Sequence, residues 1–299
     1  MIQRFSVRPR INAVNYIIII TYYYIIIIIN FYMSITFSTC FYILKSKFNH
    51  LIYITWMNNF ISIVNNFNLV IYCDENTSKY IDSKKNPKIK IIKKPIEEFY
   101  NYKYKPYWIK NHNNNVLLKD KIDWRVNMLW SEKICFVNET IKNNYFNTDL
   151  YGWCDIGYFR NRNEDVHTMF LSNWPNKKKL SCLDKGKIYY ACINNNDDQL
   201  KYLNKLVNNK GNNGLPIQQI PQNQQSFAGG FFILHKDKIQ WWREKYDTTL
   251  SLYFKNNYLV KDDQIILAHC IFSNMMHFNL IKENDKNYDN WFLFQRFLL

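Results

Sequence analysis

Glycine and proline are both scarce in this chain, with seven of each in 299 residues. Isoleucine, asparagine, lysine, tyrosine and phenylalanine dominate instead. Their codons consist mostly of A and T, so base composition accounts for much of the pattern, and a cluster of glycines carries more information than usual. Cys-x-x-Cys spacing is absent. The seven cysteines, at 40, 73, 135, 154, 182, 192 and 270, are odd in number and scattered, which excludes the usual zinc and dithiol redox motifs. They read as reduced, mostly buried thiols of a chain that folds in a reducing compartment, so a place in the cytoplasm or on the cytoplasmic face of a membrane is expected. Acidic residues are few: 24 Asp and Glu against 39 Lys and Arg leave a net charge of +15. That balance favours anionic partners such as nucleotides, nucleic acid or acidic membrane surfaces. The lysines are spread out, with only short runs such as Lys84-Lys85 and Lys177-Lys178-Lys179. A solvated lysine-rich surface is therefore the plainer reading, and it makes nucleic acid a secondary expectation.

A full-length apolar span is also missing. After Arg4, Arg8 and Arg10 comes YIIIITYYYIIIII, residues 16–29, in the basic-then-apolar order of a signal anchor. A membrane helix needs about 20 apolar residues, and Asn15, Thr21 and Asn30 bound or interrupt this run. Residues 1–32 are read as a low-complexity leader, such as a translated repeat upstream of a start at Met33, or as a single-pass membrane anchor. They are left out of the fold reasoning, which assigns 33–299 to one domain.

Within that domain, SITFSTCFYI (34–43) is β-branched and aromatic and predicts a buried first strand. Leu51, Ile54, Met57, Ile61 and Val64 recur at helical spacing over 50–67. LVIYCDEN (69–76) and KIKII (88–92) predict two more strands. A β-α-β-β opening favours an α/β fold, a sheet wrapped by helices. A helix is expected from Trp124 to Ile141, then a central strand at LYGWC. The stretch from Asn194 to Gln225 is rich in Asn, Gln, Gly and Pro and reads as a loop over a site or a spacer. After it come a strand interrupted by a glycine pair in SFAGGFFILHK, helices over about 238–253 and from KDDQIILAHCIF, and a last strand at HFNLI, 277–281. No internal repeat is present.

The chemistry-bearing residues fall on this scaffold. Asp155 follows the central strand at its carboxyl end, where open α/β sheets bind ligands. A carboxylate there can hold Mn²⁺ or Mg²⁺ and so help to neutralise a diphosphate. Gly157 allows a sharp turn or a close ligand approach, and Arg160 and Arg162 have the guanidinium geometry for phosphate oxygens. The alternative is a turn with two surface arginines. Gly229-Gly230, inside a strand-like run, marks a bulge or a ligand lying against the backbone. Asp262 and Asp263 are each readable as an N-cap or as a general base. Lys133, on an otherwise apolar helix, is a candidate to face phosphate, and His277 is a core histidine or a late metal ligand.

In order, WSEKICFV, YGWCDIGYFR, SFAGGFFILHKDKIQWW and KDDQIIL resemble the WlaTC/HtrL (HtrL/YibB-like) family, over a stretch from about Met33 to near the C-terminus. That family is treated as glycosyltransferase-like, with a nucleotide-sugar-binding GT-A type fold whose mixed central sheet is flanked by helices. The resemblance implies a nucleotide-sugar donor and a glycan, lipid or protein acceptor. It sets Asp155 on the last acid of a metal-binding DxD-like motif, Asp263 and Gln264 on an Asp-Gln pair, and Gly229-Gly230 on the glycine pair near the sugar. Position 153 is Trp, so the two-carboxylate form of the motif is not present.

Overall fold

The computed structural model describes residues 34–299, and the leader or anchor expected over 1–32 lies outside them. The chain runs through β1 (Ile35–Phe41), α1 (His50–Ser62), β2 (Asn68–Cys73), a one-turn α2 (Glu75–Ser78) and β3 (Ile89–Lys93). Helices α3 (Lys105–Asn114) and α4 (Trp124–Lys142) precede β4 (Leu150–Cys154). Then come the short α5 (Lys177–Ser181), β5 (Ile188–Ala191), α6 (Asp197–Asn208), β6 (Phe231–His235), α7 (Ile239–Lys255), α8 (Asp263–Ser273), β7 (Phe278–Ile281) and α9 (Phe294–Phe297).

The seven strands form one mixed sheet in the order β3-β2-β1-β4-β6-β5-β7, flanked by helices. Strands β3, β2, β1 and β4 are mutually parallel, whereas β6 is antiparallel to both β4 and β5. From β1 the chain steps outward to β2 and β3, then returns to lay β4 on the other side of β1. The order therefore reverses between β1 and β4, which opens a crevice beyond their carboxyl ends. Antiparallel β6 brings its amino end to the same edge, with Phe231 opposite Cys154.

Side chains alternate between two buried layers. Leu69 and Ile71 of β2 pack on one face with Met57, Phe60 and Ile61 of α1. Val70 and Tyr72 pack on the other with Met128, Phe136 and Val137 of α4. Burial of each such side chain contributes about 1.5–3 kcal/mol. Because both faces are covered, every residue of β1 and β4 is buried, the Thr and Ser of β1 included. Two hydroxyls inside β1 and β2 share a partner, Ser38 Oγ and Tyr72 OH lying 2.8 and 2.9 Å from Thr140 Oγ1 on α4, whereas Thr39 Oγ1 of β1 is buried without one.

Three expectations need correction. The stretch from Asn194 to Gln225 is not all loop: α6 occupies its first half, with Leu203, Leu206 and Val207 buried and the Asn196 side chain accepting from the amides of Asp198 and Gln199. Its polar composition hides a narrow apolar face. The strand around the glycine pair does not run through it. β6 starts after Gly230, and Phe227 and Ala228 pair instead with Cys192 and Ala191 at the end of β5. Helix α1 also ends at Ser62 rather than near Phe67. Among the described residues no helix is long and apolar enough to cross a membrane.

Candidate functional site

A cavity of about 380 Å³ opens at the reversal between β1 and β4, and Lys133, Asp155, Gly157, Arg160, Gly229, Gly230, Asp263 and Gln264 all line it. Arg162 does not. Asp155 leaves the end of β4 with its amide donating to Gly230 O at 2.8 Å, so the glycine pair and the carboxylate are locked side by side. The indole N–H of buried Trp153 donates to Asp155 Oδ1 at 2.6 Å and fixes the rotamer of a carboxylate whose side chain is otherwise 39% exposed.

Lys133 projects from the middle of α4, where its neighbours Glu132 and Ile134 are also buried. Its ammonium donates to Gly229 O at 2.9 Å and lies 3.1 Å from Asp155 Oδ1 and 3.1 Å from Asp263 Oδ2. Burial alone would lower its pKa, but the two carboxylates outweigh that and hold it above the ordinary lysine range. Asp263, the first residue of α8, is pushed the other way. Burial raises its carboxyl to about 6, with Lys133 opposing and the charges of Asp262 and Asp155 assisting. That leaves it ionised at neutral pH and near the range suited to a general base.

The glycine pair is a packing requirement. A Cβ on Gly229 would stand 2.5 Å from Asp263 Oδ2, and one on Gly230 would stand 3.1 Å from Asp155 Oδ2. Only glycine lets both carboxylates approach this backbone. Asp262 occupies the N-cap position of α8 without capping it. One of its oxygens pairs with Lys261 at 3.1 Å, and the other, Oδ1, is buried with no hydrogen-bond partner.

The two arginines separate cleanly. Arg160 donates from Nε to Gly157 O at 2.8 Å, and its guanidinium lies over Trp56 at 4.3 Å and Phe292 at 4.8 Å, an aromatic clamp that orients a cation toward the cavity. Arg162 is committed elsewhere: it pairs with Asp165 at 2.7 Å and with Asp289 at 2.9 Å. The second pair ties the segment carrying Asp289 and Phe292 to the loop after β4, so Arg162 braces a wall of the cavity. His277 rests on Trp241, with ring centroids 4.2 Å apart, and does not line the cavity.

Sequence reasoning missed the aromatic rim: Phe48, Tyr53, Trp130, Trp291 and Phe292, with Lys47 and Asp289. In a chain that is 18% aromatic, single rings give no contrast. The available signal was topological, since Phe48 and Tyr53 follow the carboxyl end of β1 just as Asp155 follows that of β4. A second cavity of about 120 Å³ shares Tyr53, Trp130, Asp155, Gly157 and Arg160 with the first and extends toward Phe41, Leu44 and Leu129.

Asp155 is the residue expected to hold Mn²⁺ or Mg²⁺. Its nearest carboxylate neighbour, Asp263, shares the Lys133 ammonium with it, and among the described residues no group of three His, Cys, Asp or Glu is placed to hold a metal ion. The position between Asp155 and Asp263 that a divalent cation would take is filled by the Lys133 ammonium. No protein-family model matches the chain, and no curated protein matches it.

Proposed function

We propose that this chain is a glycosyltransferase with a GT-A-like fold that moves a sugar from a nucleoside-diphosphate donor to a hydroxyl of a glycan, lipid or protein acceptor. The observation that carries this reading is the pairing of two fixed cations, Lys133 and Arg160, with a carboxylate of raised pKa, Asp263, in one crevice at the β1/β4 reversal. In this reading the smaller cavity near Phe41 and Leu44 takes the base. The diphosphate lies by Arg160 and Lys133, and the sugar lies beside the Asp155 and Asp263 carboxylates that pack on Gly229-Gly230.

The chemistry then follows from charge. Asp263 accepts the proton of the acceptor hydroxyl as its oxygen attacks the anomeric carbon. The bond to the diphosphate breaks, and the developing negative charge is met by Lys133 and Arg160, which are already oriented and need no rearrangement. Asp155 holds Lys133 in place. All seven cysteines are free thiols, in keeping with a reducing compartment such as the cytoplasm or the cytoplasmic face of a membrane.

The test is a thermal-shift and donor-hydrolysis panel on the full chain with UDP-, GDP-, CMP- and dTDP-sugars, beside Arg160→Ala. Stabilisation by one nucleotide class, lost in the variant, is the expected result. A folded chain that answers to none of them, yet binds nucleic acid with steep salt dependence, would instead be a basic polyanion-binding protein.

A further inference from the structure

The Lys133 ammonium stands between the two carboxylates of the crevice, at the point where a cation would be held. Its side chain is only 7% exposed and is carried on the 19-residue α4, so it cannot swing out to solvent as a surface lysine does. Its three protons face three acceptor groups: Gly229 O, Asp155 and Asp263. Trp153 supplies a neutral N–H donor to Asp155 Oδ1 and brings no charge of its own. Of the four carboxylates lining the cavity, Asp262 pairs with Lys261 and Asp289 with Arg162, so Lys47, Lys133 and Arg160 face only Asp155 and Asp263, an excess of positive charge without any added ion.

We propose that Lys133 is the built-in replacement for a divalent cation, so that the site receives the diphosphate of its ligand without metal. This rests on the donor-site reading above for the identity of the ligand, but not for the behaviour of the cation position, which can be probed with the metal alone. If the ammonium fills that position, removing it should create a metal site from Asp155 and Asp263 that the native chain lacks.

Two measurements on the full chain test this. In the first, Mn²⁺ alone is titrated and the free ion is followed by its paramagnetic resonance signal. Wild type is expected to leave the signal unchanged up to about millimolar ion, whereas Lys133→Met should bind at least about tenfold more tightly and lose that binding when Asp155→Asn is added. In the second, calorimetry compares UDP and GDP binding in EDTA and in Mn²⁺. Wild-type affinity should agree within about threefold between the two conditions, and Lys133→Met should bind poorly in EDTA and recover with Mn²⁺.

The proposal is overturned if wild type holds Mn²⁺ in a way that Asp155→Asn abolishes, or if its nucleotide affinity falls about tenfold or more in EDTA. Should Lys133→Met fail to fold, these two wild-type results decide the matter by themselves. Should no nucleotide bind in either condition, the donor-site reading fails, and the Mn²⁺ titration still decides whether Lys133 fills the cation position.

Discussion

Asp263→Asn should gain stability relative to wild type as the pH rises from 4 to 7.5, while abolishing the sugar transfer proposed for the chain. Asparagine mimics the protonated acid, so the variant resembles wild type with a proton fixed on Asp263. In wild type, burial lifts that carboxyl from 3.8 to about 6. The unfolded chain releases its proton near pH 4, while the folded chain keeps it until about pH 6. Between those values the folded state binds more protons than the unfolded one, so stability falls as pH rises. A shift of about two units at about 1.4 kcal/mol each amounts to about 3 kcal/mol of wild-type stability, present below pH 4 and lost above pH 6. Two other buried groups titrate nearby. Glu132 is pushed up to about 7, which also lowers stability with rising pH, and His269 is pushed down to about 4, which raises it. Both are common to the two proteins and drop out of the difference.

The assay is the melting temperature of variant minus wild type from pH 4 to 7.5. At about 2 °C per kcal/mol for a chain of this size, the difference should move in favour of the variant by about 6 °C, most of it between pH 4 and 6. A difference that stays flat with pH, or moves the other way, would refute the buried-carboxylate account of Asp263. Retained sugar transfer by the variant would remove it from the role of base.

Other consequences follow from single contacts. Gly229→Ala drives a methyl group to 2.5 Å from Asp263 Oδ2; it should cost about 1–3 kcal/mol in denaturant unfolding and block donor binding, with Gly230→Ala milder on both counts. Trp153→Phe keeps the stacking on Phe136 but deletes the 2.6 Å bond to Asp155, so unfolding free energy should drop by about 1.5–3 kcal/mol. Arg162→Ala strips the fully buried Asp165 of its partner and should cost about 3 kcal/mol in stability. Arg160→Ala should instead weaken nucleoside-diphosphate binding about tenfold in calorimetry with little loss of stability. The reverse pattern for the two arginines would contradict their assignment as brace and ligand.

Much of the sheet was readable because its central strands are buried on both faces and its edge strands β3 and β7 are still short isoleucine- and leucine-bearing runs. β1, β2, β3, β4 and β7 all fall within a residue or two of where composition sets them. Helix α4 was readable from periodicity over five turns. What failed was of another kind. α6 has a one-sided apolar face inside a polar stretch, and β5 is only four residues long, too short to rise above the background. The break at Gly229-Gly230 is imposed by a partner exchange, from β5 before the pair to β4 and β5 after it, and no local preference encodes that.

The site divides along the same line. Asp155 and the glycine pair were visible because position in an α/β sheet and scarcity of glycine are local facts. The different fates of Arg160 and Arg162, two residues apart, were not: Arg160 is held over Trp56, more than 100 positions away, whereas Arg162 turns to Asp165, three residues on, and to the distant Asp289. Lys133 was singled out as a charge on an apolar helix face, and that anomaly is the trace of a tertiary constraint. A lysine at a buried helical position is excluded by desolvation unless acceptors await it, so its presence required carboxylates elsewhere in the chain. Asp155 and Asp263 meet that requirement from the ends of β4 and α8, and the glycine pair is what leaves room for them. Each of the three sequence anomalies, the buried lysine, the acid after a strand and the paired glycines in a glycine-poor chain, is explained by the other two.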